Sequence, residues 1–138
     1  MAMAQQIQYT EFGEPEVMHL VEVPDPTAGE GEVVVAVRAA GVNPLDSKLR
    51  SGKRPSGEIT TPRVPGGDAA GEIVEVGAGV EGWRVGDRVV VQNAKGAYAT
   101  RTVATPEQLH ALPDGVSFEQ GAAMGVPAST AYQGLVEL

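Results

Sequence analysis

The stretch "EVVVAVRAAGV", residues 32–42, limits the possible folds more than any other part of the chain. Its β-branched residues favour an extended strand, dense enough in Val for part of it to be buried on both faces. The surrounding sequence has the same texture. "IQYTEF" alternates apolar and polar residues until "GEP" interrupts it, and "VMHLVEV" closes at "PDP". "GEIVEVGAGV" and "DRVVV" follow, with the Gly-rich "GAGVEGWRVG" dividing them, and "GAYATRTVA" and "LHALPDG" add shorter strands. Closely spaced strands punctuated by Gly and Pro argue for a mainly β fold, a sandwich or a partly open barrel. The 18 Gly and 10 Pro suit many turns, and an aromatic content of 4% leaves the core to Val, Ala, Leu and Ile. A length of 138 residues suits one domain with a real core and is short for two.

Three helical stretches interrupt the strands. "PLDSKLRSG" makes two turns and ends at Gly52. "TPEQLH" reads as a single turn with Thr105 as N-cap and Pro106 at the first helical position. Ser117 with Gln120 matches a capping box ahead of "GAAMG", and Pro127 is placed to start a last helix, "ASTAYQGLVEL". Ala131, Leu135 and Leu138 fall on one face of that helix. It reaches the last residue without a stop signal, so it is either the natural final element or part of something larger. "RSGKRPSGEITTPRVPGG", residues 50–67, is a loop with little to bury.

A net charge of −8 with no basic cluster repels a phosphate backbone, which excludes nucleic acid as the expected partner. The acidic excess serves solubility. The absence of cysteine removes disulfides and thiolate metal sites and suits the cytoplasm. The first ten residues lack the basic and apolar regions of a secretory leader, and no apolar run is long enough to span a membrane.

"GVNPLDSKLR", residues 41–50, holds the candidate chemistry: a strand exit, a Pro-marked turn, Asn43, Asp46 and Lys48. Asn43 before Pro44 suits a turn in its own right. Asp46 and Arg50 stand at i,i+4, the spacing of a surface ion pair. Lys48 is open to three readings: a hold on a phosphate or ribose hydroxyl, a proton shuttle, or a solvated lysine. In "PGGDAAGEIVEVGAGV" the glycines do not form a phosphate loop, because Gly77 and Gly79 lead into "VEGWRVGD" and not a helix. They are turn glycines. Asp68 is placed to hydrogen-bond to a neighbouring loop, and Asp87 to make an Asx-turn. His19 and His110 lie far apart in strand-like stretches and read as packed or surface residues.

The order of "FGEPEVMHLVEVPDP", "GEVVVAVRAAGVNPLDSKLRSG", "PGGDAAGEIVEVGAGVEGWRVGDRVV", "GAYATRTVA" and "GAAMGVPASTAYQGL" resembles the N-terminal half of the medium-chain dehydrogenase/reductase superfamily. It is most similar to the zinc-free quinone oxidoreductase branch, the zeta-crystallin-like enzymes, from about residue 7 to residue 138. The resemblance implies a GroES-like, partly open β-barrel with short helices and a C-terminal helix. Residues 1–126 would form this alcohol dehydrogenase-like, substrate-side domain, and residues 127–138 the start of a helix leading to a nucleotide-binding domain. The zinc ligands of related enzymes fall at Asn43, Gly67 and Val126, none of which replaces a thiolate or imidazole. No zinc is expected. A carbonyl or enone must then be polarised by hydrogen bonds alone, and Asn43 is the candidate donor, to a substrate oxygen or to the cofactor's ribose. By the same resemblance Lys48 occupies a position where relatives carry Tyr or Lys, Thr130 and Val126 flank the nicotinamide, and Asn43, Asp46 and Gly67 face the substrate. Tyr132 packs between domains.

A full member continues into a strand, a Gly-rich turn and a helix that cradle the pyrophosphate of NADPH. That Rossmann unit is absent from this sequence, so no cofactor is expected on this chain alone. Two expectations follow. One is a piece of an NADPH-dependent quinone or enone (or alcohol/carbonyl) oxidoreductase, inactive by itself. The other is a free-standing GroES-like module with a structural or interaction role. Either way the exposed apolar helix face and strand edges favour a homo-oligomer.

Overall fold

A computed structural model describes residues 2–137. Strands β1 (Met3–Gln8) and β2 (His19–Pro24) pair antiparallel, with Met3 opposite Pro24 and Gln8 opposite His19. A second sheet holds β3 (Val33–Gly41), β4 (Asp68–Val76), β5 (Arg88–Gln92), β6 (Arg101–Ala104) and β7 (Leu109–Ala111) in the order β6-β3-β4-β5-β7, every neighbour antiparallel. The mainly β, incompletely closed architecture expected from the sequence is present, as two open sheets. The Ile7 N–H bonded to the Tyr98 carbonyl (2.8 Å) and bridges from Gln6 to Ala99 and Tyr9 to Arg63 tie the hairpin to the larger sheet. The first strand starts at Met3, not Ile7, and stops before Tyr9.

The Val-rich run does what its composition demands. Val33, Val34 and Val35 are each 0% exposed in β3, which is flanked by β4 and β6. Val33 and Val35 pack with Ala69, Ile73, Val89 and Val91. On the other face Ala70 and Val90 meet Leu112 and Ala122, beneath helix α2 (Phe118–Ala122). Each fully buried Val or Ile contributes about 1.5–3 kcal/mol relative to an exposed one. The β3–β4 register slips twice, leaving Arg38 on β3 and Val74 on β4 as extra residues. After the second slip Ala39, Ala40 and Gly41 stand opposite Ala70, Ala69 and Asp68, so the exit of β3 lies against the first residue of β4.

Helix α1 (Pro44–Ser51) ends at Gly52, whose φ of 77° is left-handed. Pro106–Gln108 forms a single 3₁₀ turn after Thr105, whose N–H donates to Gln108 Oε1 (2.9 Å). The Ser117–Gln120 capping box is present in both directions, at 3.0 and 3.1 Å. Helix α3 (Gly125–Tyr132) begins at Gly125 and not at Pro127, because Met124 already has helical dihedrals. Pro127 sits in its first turn, where its missing N–H is not needed. Gln133–Glu137 widens into a π turn, which breaks the expected stripe after Ala131: Leu135 is 85% exposed, and Leu138 lies outside the described residues. Asp87 does not make an Asx-turn; its carboxylate reaches back to accept the Arg84 N–H (2.9 Å), closing the turn that Asp87 ends. Gly79, at φ 80°, is a turn glycine as expected, whereas Gly77 is required by packing, since a Cβ there would run into the Gly29 carbonyl. His19 and His110 are both exposed on strands.

Candidate functional site

Where β3 ends, the chain turns through Asn43, extended at φ −123° and ψ 154° as the residue before a proline must be. Its backbone N–H donates to Asp46 Oδ2 (2.9 Å), which fixes the first turn of α1. Its side chain turns inward: Asn43 is 7% exposed, and Nδ2 donates to Asp68 Oδ2 (2.9 Å). The same oxygen accepts the N–H of Val126, at 2.9 Å. Segments distant in sequence thus meet on one carboxylate that is 1% exposed. A buried carboxylate is costly unless donors surround it. Asp68 has two, both on Oδ2, while the buried Oδ1 has no partner. Two glycines make the space. A Cβ at Gly41 would stand 2.5 Å from the Ala122 carbonyl, and one at Gly125 would press on the Asp68 carboxylate.

Two clefts lie nearby, and only the smaller is lined by a residue of the node, Asn43. One of about 490 Å³ has Tyr9, Leu45, Leu49 and Pro65 in its wall, with Asp46 and Gly67. A smaller one of about 260 Å³ lies among Gly41, Val42, Asn43, Ala122 and Pro127. Asp46 and Gly67 therefore line the larger cleft and Asn43 the smaller, where the sequence had placed all three on one substrate. Asp46 does not pair with Arg50. Its carboxylate is taken by the Asn43 N–H and by the Tyr98 hydroxyl (3.0 Å), and Arg50 Nε donates to the Gly13 carbonyl (3.2 Å). Burial, then the charge of Asp46 and the hydrogen bond to it, push the Tyr98 hydroxyl well above its ordinary pKa; the Arg50 guanidinium opposes this. Lys48 is exposed on α1 and lines neither cleft. Thr130 and Tyr132 are exposed on α3. Among the described residues no three of His, Asp and Glu gather closely enough to hold a metal ion.

Sequence reasoning left out two side chains near the site: Tyr98, which holds Asp46, and Arg63, which lines the larger cleft. Tyr98 gives no local signal, because its partner Asp46 is 52 residues away. Arg63 donates to Ser56 Oγ (2.7 Å) and to the carbonyls of Ser56, Gly57 and Glu58 (3.0–3.1 Å), and so anchors the loop that borders the cleft. Its place in "PRVPGG", the sole arginine between two prolines of a loop, is the only hint.

Known proteins are similar to this chain in sequence and fold. A quinone oxidoreductase of Lama guanicoe is 41% identical over 132 residues, which are 94% of this chain and 40% of that protein. The chain thus spans about two fifths of the length of such relatives. The Escherichia coli quinone oxidoreductase solved with NADPH superposes with a TM-score of 0.88 at 33% identity, over 99% of this chain and 41% of that one. The apo JamJ enoyl reductase superposes at 0.85 with 28% identity, over 99% and 43%. Residues 29–131 match the alcohol dehydrogenase GroES-like domain. On that match over most of its length, together with the open sheets and the strand-exit site, the chain belongs to the alcohol dehydrogenase GroES-like domain family.

Proposed function

We propose that this chain is the substrate-side part, residues 1–126 with a connecting helix from 127, of an NADPH-dependent reductase of quinones or conjugated enones that works without zinc. The observation that carries the reading is the Asn43–Asp68–Val126 node at the smaller cleft, in a chain whose relatives are quinone oxidoreductases. Asn43, Gly67 and Val126 offer neither thiolate nor imidazole, so activation of a carbonyl falls to hydrogen bonds.

The smaller cleft fits the nicotinamide end of NADPH, since Gly41, Ala122 and Ala123 keep long side chains out of it. The pyrophosphate has no counterpart, because among the described residues no Gly-rich turn leads from a strand into a helix. When bound, NADPH supplies the hydride. Asn43, Val126 and Thr130 are the residues of this chain that would meet its nicotinamide and ribose. Asn43 keeps a second N–H beyond the one given to Asp68, and that N–H donates to the substrate oxygen or the ribose. Tyr9, Leu45 and Leu49 exclude water from the quinone or enone, and Asp46 and the Gly67 backbone hold its polar end. Lys48 lines neither cleft, and the step needs nothing from it.

The quinone oxidoreductase relatives support a small-molecule partner and a cytoplasmic location, a net charge of −8 argues against nucleic acid, and among the described residues no helix is long and apolar enough to cross a membrane. Met124, Tyr132, Leu135 and Val136, all exposed, support self-association.

The test joins this chain to a nucleotide-binding half and follows NADPH oxidation by a quinone. Asn43→Ala should lower kcat/KM by about ten- to a thousandfold, the scale of one lost oxyanion donor or less. An unchanged kcat/KM would return Asn43 to the role of a turn residue.

A further inference from the structure

Asn43 is held by something that no motif marks. Its Nδ2 reaches Asp68 Oδ2 at 2.9 Å inside a node almost closed to solvent. That oxygen also accepts the Val126 N–H, so it acts only as an acceptor there. The amide of Asn43 must therefore turn its NH₂, and not its carbonyl, towards Asp68; the reversed orientation would set two oxygens against each other. We infer that Asp68 is the positioning residue of the site, fixing the amide orientation of Asn43 and tying it to the first turn of α3 through one shared oxygen.

Three further observations fit this role. Asp68 is the first residue of β4, directly opposite Gly41 at the exit of β3, so the sheet itself sets where the carboxylate stands. Gly125 has no room for a Cβ against that carboxylate, which makes the approach of α3 part of the same arrangement. Oδ1 remains buried without a partner, so stability alone does not account for a charged group here: a residue kept only for packing would be cheaper if apolar. The outcome is an Asn43 whose carbonyl and second N–H are pre-set for the smaller cleft, with no rotamer left to fix on binding. The functional value of that pre-setting rests on the reductase reading; the geometry of Asp68 does not.

The test uses the 138-residue chain without cofactor or substrate. Its only asparagines are Asn43 and Asn93, so selective ¹⁵N-asparagine labelling gives two side-chain NH₂ signals. The Asn43 pair should show two widely separated proton shifts and exchange with water at least about tenfold more slowly than that of exposed Asn93, the scale of one hydrogen bond to a charged group. In Asp68→Asn, which adds a third side-chain NH₂ signal of its own, the separation of the Asn43 pair should collapse and its exchange approach that of Asn93. Gly125→Ala, which touches Asp68 and not Asn43, should move the Asn43 signals in the same direction. Gly115→Ala, in open space, should leave them alone. A wild-type Asn43 pair that exchanges as fast as that of Asn93 overturns the inference, even where the variants do not fold. So does a pair unmoved in folded Asp68→Asn or Gly125→Ala. Because the readout needs no turnover, failure of the reductase reading and failure of this inference are separate results.

Discussion

Tyr98 donates its hydroxyl to Asp46 across 3.0 Å, and its proton is held by burial and by that carboxylate. The unfolded chain releases a tyrosine proton near the ordinary value of 10.0, whereas the folded chain keeps this one to higher pH. Between those two values the folded state binds more protons than the unfolded state, so stability falls as pH rises. The contribution is complete below about pH 10 and is lost as the pH climbs through the raised value. Tyr98→Phe should therefore flatten the alkaline decline of Tm and remove the late-ionising tyrosine from the ultraviolet titration. A wild-type chain with no late-ionising tyrosine would refute this. The pair also shows what sequence spacing conveys at this scale. The i,i+4 rule offered Asp46 to Arg50, but a tertiary donor and the helix N-terminus took the carboxylate, and neither is visible in a local window. Asn43 drew notice because a strand exit, a proline and a family motif coincide on it. Asp68 was read as a hydrogen-bond partner of a neighbouring loop, and it is one, but "GGDAAG" gave no sign of the burial it reaches.

Local signals carried the elements whose partners are local. The Ser117–Gln120 box, the Thr105–Pro106 turn and the Gly52 stop all appear where the sequence placed them. β4 did not. Its first residues, Asp68, Ala69 and Ala70, are small or acidic and carry no strand signal, so the strand was read from Gly71 onward. Their extended form comes from pairing with β3 on one side and β5 on the other. Gly71 is thereby an interior strand residue beside the Arg38 bulge, and a Cβ there would run into the Ala36 carbonyl and stand 3.1 Å from Val35 Cγ1. Gly71→Ala should destabilise the chain by about 1–3 kcal/mol, the cost of overpacking a close approach. Urea unfolding measures it, with the midpoint lowered and the m-value unchanged. A midpoint equal to wild type would show that β3 and β4 can part without penalty.

At the scale of the molecule, a Val-rich strand with partners on both sides and a barrel left partly open were both readable; the division of the strands into a two-stranded and a five-stranded sheet was not. Closure depends on contacts between β1 and the rest, which consist of a few bridges near Tyr98 and Arg63 and no continuous ladder. The same scale governs association. Tyr132, Leu135 and Val136 are 58%, 85% and 62% exposed at the end of the chain, with Met124 exposed at the start of the same helix. No described residue covers them, and an apolar surface of this kind lowers its free energy by meeting another. The π turn sets Leu135 and Val136 beyond the regular helix, so the patch is a terminal knob and not the expected stripe. A knob suits pairing of two copies end to end. Sedimentation of the chain over a concentration series should show an average mass that rises towards a dimer. Leu135→Glu with Val136→Glu should hold it at the monomer, with Tm unchanged because neither residue enters the core. A chain that stays monomeric at every concentration would show that the exposed knob does not bind itself.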